Sequence, residues 1–123
     1  MDPAATDKKD YDLNYKVWLS TPDGKGIMGD GKWRILQAID EHGSLKAATK
    51  ALGITYRRTW GDLKKIEKQL GFPLLKKTRG GKEGGQTRLT PEGRKLVDAF
   101  SRLHKRVHTE MEAAFREFRE ELD

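Results

Sequence analysis

The sequence contains no cysteine. That excludes disulfides, thiol catalysis and thiolate metal sites. No apolar run approaches 18 residues, so no membrane span is expected. The first residues, MDPAATDKKDYD, lack the apolar stretch of a secretory signal, and the expected address is the cytoplasm. Histidines are few: His42, His104 and His108. His104 and His108 are four apart and share a helix face, the spacing of a two-histidine metal site, but no third ligand pairs with them. They read as half-exposed polar residues, and no metal or other cofactor is expected. No nucleophile–base pair or carboxylate cluster stands out, so an enzyme is not expected either.

What is present is charge, unevenly placed. Residues 1–45 carry 6 basic and 8 acidic side chains, residues 46–95 carry 14 and 4, and residues 96–123 carry 5 and 7. The whole excess of +6 therefore comes from a middle block of net +10 between mildly acidic ends. A confined basic block is the electrostatic footprint of a nucleic-acid-binding surface.

The chain divides into a disordered arm at 1–10, a domain at 11–90 and a long helix at 91–123. Leu13, Tyr15, Val17 and Leu19 alternate with polar neighbours, a strand period. TPDGKG is turn chemistry and IMG returns as a second strand, giving an N-terminal hairpin. Trp18 lies on its polar face, where a lone aromatic meets another element or another chain. Asp30 is the expected N-cap of a first helix with Trp33, Ile35, Leu36 and Ile39 as its apolar side. Ser44 caps a short second helix whose Leu45, Ala48 and Leu52 are expected to face inward, and Gly53 ends it. Thr55 opens a third helix that runs to about Leu70 with an inward stripe of Thr59, Leu63, Ile66 and Leu70. A short helix, a tight turn and a longer helix make a helix-turn-helix.

That stripe turns Tyr56, Arg57, Gly61, Lys64 and Lys68 outward, with Arg58 and Lys65 beside them. Arginines at a helix N-terminus oppose the helix dipole. A polyanion in front of the helix reverses the sign, and free N–H groups there hold phosphate. Arginine also reads guanine bidentately, and Gly61 lets the backbone approach a duplex closely. Trp60 borders the apolar stripe and reads as a core neighbour. FPLLKKT and QTRLT read as two strands joined by RGGKEGG. Lys82 is followed by Glu83 and a strand, not by Ser or Thr and a helix, so this is not a nucleotide-binding loop. It reads as a wing whose Lys76, Lys77, Arg79, Lys82 and Arg88 reach flanking phosphates. Ser44 joins the candidate DNA contacts at the start of the second helix.

Thr90 and Pro91 open the last helix, which contains no glycine or proline after Gly93. Its apolar positions are Leu96, Phe100, Leu103, Val107, Met111, Ala114, Phe118 and Leu122, with Phe115 alongside. Phe100, Met111 and Leu122 stand eleven apart, which gives a nearly straight pairing. About 30 residues span about 45 Å, longer than the preceding globule can cover. A homodimer seam of Trp18, Leu96, Phe100, Leu103, Val107, Met111, Phe115 and Phe118 is expected.

GSLKAATKALGITYRRTWGDLKKIEKQLGFPLL and RLTPEGRKL resemble the winged helix-turn-helix shared by LysR-type regulators and the ModE family of molybdate-responsive regulators. YRRTW, GGKEGG and the N-terminal hairpin make ModE the nearer likeness. The resemblance implies a mostly α fold with small β: a winged helix-turn-helix with an N-terminal β-hairpin and a long C-terminal dimerisation helix. It implies a homodimeric, sequence-specific transcription regulator on a palindromic double-stranded operator. Thr55, Tyr56, Arg57 and Arg58 would open the recognition helix, Gly61 and Lys64 would follow, and Arg79 to Gly85 would form the wing. ModE proteins continue into a molybdate-binding module that these 123 residues do not contain. Two alternatives stand beside this reading: a small oxyanion-binding protein that holds molybdate or tungstate with the Gly-rich loop, and a protein-interaction module.

Overall fold

The computed structural model describes residues 12–78 and 86–122. The elements are β1 (Trp18–Ser20), β2 (Gly26–Gly29), α1 (Asp30–His42), α2 (Leu45–Leu52), α3 (Tyr56–Leu70), β3 (Leu75–Thr78), β4 (Gln86–Leu89) and α4 (Pro91–Glu121). Two antiparallel hairpins flank the helices. In the first, Trp18 faces Gly29 and Leu19 faces Met28. In the second, Leu75 faces Leu89, Lys76 faces Arg88, Lys77 faces Thr87 and Thr78 faces Gln86. This is the expected winged helix-turn-helix architecture. The 1–10 arm and the loop carrying Arg79 and Lys82 lie outside the described residues.

One core joins these elements. Leu36, Ile39, Leu45, Ala48, Leu63 and Leu74 are sealed from solvent, with Met28, Ile35, Ala38, Ile66, Leu75 and Val97 around them. Each large aliphatic side chain fully buried there is worth about 1.5–3 kcal/mol. Ser44 caps α2 by accepting from the Ala47 N–H at 3.0 Å, and Thr90 caps α4 by accepting from the Gly93 N–H at 2.9 Å with Pro91 at the first helical position. Gly53 ends α2 in a left-handed conformation, φ 68°, which a side chain would strain. Gly93 has a different constraint: a Cβ there would collide with the Leu74 carbonyl, so glycine lets α4 lie against the entry to β3.

Four expectations change. Only Trp18–Ser20 of the alternating N-terminal segment is a strand, because β2 is four residues long and runs straight into α1, leaving nothing for residues 12–17 to pair with. Asp30 is the first helical residue, not the cap. Gly29 occupies the cap, where a Cβ would strike the Val17 carbonyl and the Trp18 side chain. The Asp30 carboxylate points instead toward His104 on α4, 3.6 Å away. Leu52 is exposed, because the last turn of α2 leaves the core after Thr49. Thr49 takes the buried position, its hydroxyl donating to the Lys46 carbonyl at 3.0 Å. Phe100, expected in a dimer seam, is 2% exposed and belongs to the core of its own chain. It packs 5.6 Å from the Trp33 ring, whose N–H donates to Ser101 at 2.9 Å.

Candidate nucleic-acid interface

α3 rolls its apolar edge inward as its spacing demands. Thr59, Leu63 and Ile66 are buried, and Leu70 is half-buried. Tyr56, Arg57, Arg58, Gly61, Lys64, Lys65 and Lys68 are exposed along the other side. Thr55 is the N-cap residue, yet its side chain makes no capping hydrogen bond. The first N–H groups of α3 therefore stay open toward the surface where the two arginines lie. Among the described residues, no carboxylate holds Arg57 or Arg58. The nearby Asp62 is taken by Lys32 at 3.2 Å.

The second hairpin closes on the same side. Ser44 at the start of α2, Tyr56 at the start of α3, and Lys77, Gln86 and Thr87 of the hairpin line a concavity of about 200 Å³ together with Lys46. Two backbone hydrogen bonds anchor the hairpin: the Thr87 N–H donates to the Gly43 carbonyl at 3.2 Å, and the Thr90 N–H donates to the Leu74 carbonyl at 2.9 Å. The Lys77 ammonium donates to the Tyr56 hydroxyl at 3.5 Å, a long contact. Arg88 donates to the Gln86 side chain at 3.1 Å and is exposed. The helix-turn-helix and the base of the wing thus present one continuous basic surface.

Sequence reasoning missed Glu67. It follows Lys64 on the same helix, and nothing in its spacing singles it out. Its carboxylate accepts from the Leu74 N–H at 2.6 Å and the Leu75 N–H at 3.1 Å, and pairs with Lys64 at 3.0 Å. Burial opposes its ionisation, but the two N–H groups and the Lys64 ammonium outweigh burial and hold its carboxyl below its ordinary pKa. Glu67 therefore pins the start of β3 to α3. Arg94 is paired differently: its hydrogen bond with Asp40 raises its already high pKa.

The expected seam residues divide along α4. Phe100 is in the core, and Leu96 packs against it. Leu103 and Phe118 are 42% and 50% exposed, and Trp18 is 62% exposed. Val107, Met111 and Phe115 are half-covered. Phe115 stacks on Phe118 at 6.3 Å under the Arg119 guanidinium. The two histidines of α4 serve different neighbours. His104 packs against Trp33 with the ring centres 4.6 Å apart and the rings tilted by 32°. His108 Nδ1 lies 2.7 Å from the Tyr15 hydroxyl, and its Nε2 lies 2.7 Å from Glu112.

Residues 31–94 match the family of bacterial regulatory helix-turn-helix proteins of lysR type. The molybdenum-pterin-binding protein MopB of Rhodobacter capsulatus is 34% identical over 80 residues, which covers 65% of this chain and 30% of MopB. The molybdenum transport protein ModE of Azotobacter vinelandii is 31% identical over 88 residues, covering 72% of this chain and 32% of ModE. The chain thus spans about a third of the length of these relatives. The fold is that of the DNA-binding domain in the BenM–benA site 1 DNA complex: the TM-score is 0.55 at 24% identity, covering 70% of this chain and 94% of that one.

Proposed function

Because the chain belongs to the lysR family of bacterial regulatory helix-turn-helix proteins, we propose that it is a sequence-specific DNA-binding transcription regulator, ModE-like in its DNA-binding domain. The observation that carries this reading is the uncompensated Arg57–Arg58 pair at the open N-terminus of α3, beside a basic hairpin. α3 enters the major groove, where Arg57 and Tyr56 meet base edges. Lys76, Lys77 and Arg88 of the wing strands, and Arg79 and Lys82 of its loop, meet flanking phosphates and set register.

The protein acts as a homodimer in the cytoplasm. Exposed Leu103 and Phe118, with half-covered Val107, Met111 and Phe115 and with Trp18, supply a seam along the far part of α4. Two-fold symmetry then places two α3 helices in successive major grooves about 34 Å apart, on a palindromic operator. Among the described residues, no helix is long and apolar enough to cross a membrane.

Selection of bound duplexes from a random pool tests the reading, and a palindrome with half-sites one helical turn apart is the expected product. On the selected site, Arg57→Ala relaxes the choice at one base pair by about 1–3 kcal/mol. Arg88→Ala weakens selected and random duplexes alike. No enrichment of any sequence would overturn the proposal, and equal losses in both variants would overturn the division of labour between helix and wing.

A further inference from the structure

Trp60 looks like a core neighbour in the sequence, and its ring is packed against the core. Its other contacts are unusual. The Lys64 ammonium of α3 lies 4.5 Å from the centre of the indole, and the Lys77 ammonium of β3 lies 4.1 Å from the same centre. Two cations from separate elements share one ring. Like charges on flexible stems would otherwise drift apart into water. The π electrons of the indole attract each ammonium, and core packing holds the ring still. Glu67 offsets the charge of Lys64 from one side at 3.0 Å, and the Tyr56 hydroxyl is the one further partner of Lys77 at 3.5 Å among the described residues. A ring contact leaves ammonium N–H donors unused. Both lysines remain exposed on the surface described above.

We propose that Trp60 is a positioning residue, and that Lys64 and Lys77, held over its ring, form a preorganised two-cation site for the phosphate backbone of bound duplex DNA between the recognition helix and the wing. The inference rests on the DNA-binding reading and extends it. The ring fixes both cations before DNA arrives, so their ordering is not charged to the binding step. It also ties the hairpin to α3 at a set distance, so the phosphate path beside the recognition helix is defined by the protein.

The test is the salt dependence of binding to the selected duplex. Each phosphate neutralised contributes about 0.9 to the slope of log K against log salt. Trp60→Met keeps the charge and most of the apolar bulk but removes the π face. The expected result is a slope shallower by about one to two units, with binding weaker by roughly tenfold because the two lysine stems are then ordered only when DNA binds. Trp60→Phe, which keeps a π face, is expected to stay close to the wild-type slope. A packing role alone would leave the slope untouched in both variants. A folded Trp60→Met protein with the wild-type slope would overturn the inference, while the DNA-binding reading would survive. If the wild-type protein bound no duplex, that reading itself would fall. Should Trp60→Met not fold, Lys64→Met and Lys77→Met decide the matter: each is expected to lower the slope by about one unit, and the double variant by about two. Unchanged slopes there would overturn the inference equally.

Discussion

Gly61 is an exposed residue in the interior of a 15-residue helix, where glycine is a poor choice for stability. In a helix interior, glycine costs about 0.8–1 kcal/mol relative to alanine, through lost backbone entropy. Nothing in the free protein requires it. Its backbone is helical, and a Cβ built there meets no atom within 4 Å. Gly61→Ala should therefore stabilise the fold by close to 1 kcal/mol, which raises the melting temperature by roughly 4 °C for a chain of this size. On the proposed complex the same methyl has the opposite effect. Gly61 lies one helical turn beyond Arg57 on the outward side, so it faces the duplex at close range if Arg57 reaches base edges. Overpacking by one methyl costs about 1–3 kcal/mol, which is roughly fivefold to a hundredfold in Kd. Gly61→Leu should weaken binding further and still melt above the wild type.

The measurements are a circular-dichroism melt and a fluorescence-anisotropy titration with the selected duplex, run on the same preparations. A higher melting temperature with weaker binding is the expected pair. Unchanged affinity in both variants would mean that the outward edge of α3 does not approach DNA at Gly61, and the orientation proposed for the recognition helix would fail.

Glu67→Ala should cost about 1.5–3 kcal/mol at pH 7, since it removes a charged acceptor from two N–H groups. Because the folded pKa of Glu67 is lowered, the unfolded chain binds the proton first as pH falls; its contribution is complete above the unfolded value near 4.5 and is lost on descending through the folded one. Urea melts between pH 7 and 3 should show the wild-type and Glu67→Ala curves converging at the acid end. Phe118→Lys should convert the proposed dimer into a folded monomer of 14.0 kDa by light scattering. Phe100→Ala should instead cost about 3–5 kcal/mol of stability, because that ring is in the core.

The helix-turn-helix was legible in the sequence because its signals are local. The caps at Ser44 and Thr90, the glycine at 53 and the stripe from Thr59 to Leu70 depend on spacing along one chain. The failures share a cause of the opposite kind. Phe100 and Phe118 both fit the apolar spacing of α4, and only the length of the neighbouring globule decides which one is buried. Leu52 fits the stripe of α2, yet the core ends one turn earlier. Residues 12–17 alternate correctly and still form no strand, since β2 has no residues left to pair with them.

Trp60 and Glu67 show how the same limit applies to the site. Each faces two elements at once. Trp60 meets α3's own Lys64 and the hairpin's Lys77, while Glu67 meets that same Lys64 and the N–H groups that open the hairpin. Lys64 is thus shared between a ring and a carboxylate, and through both it links the helix to the wing. Composition counts Lys64 and Lys77 as two of many cations. Their placement over one indole makes them different from Lys65 or Lys68, which have no such support among the described residues. An exposed lysine on a free stem contributes mainly to long-range attraction, which salt screens within about 8–10 Å. A lysine held at one place contributes a contact with a defined position. The charge of the middle block therefore predicts that the surface binds a polyanion. The contacts made by Trp60 and Glu67 determine where along that surface a phosphate is met at a fixed point.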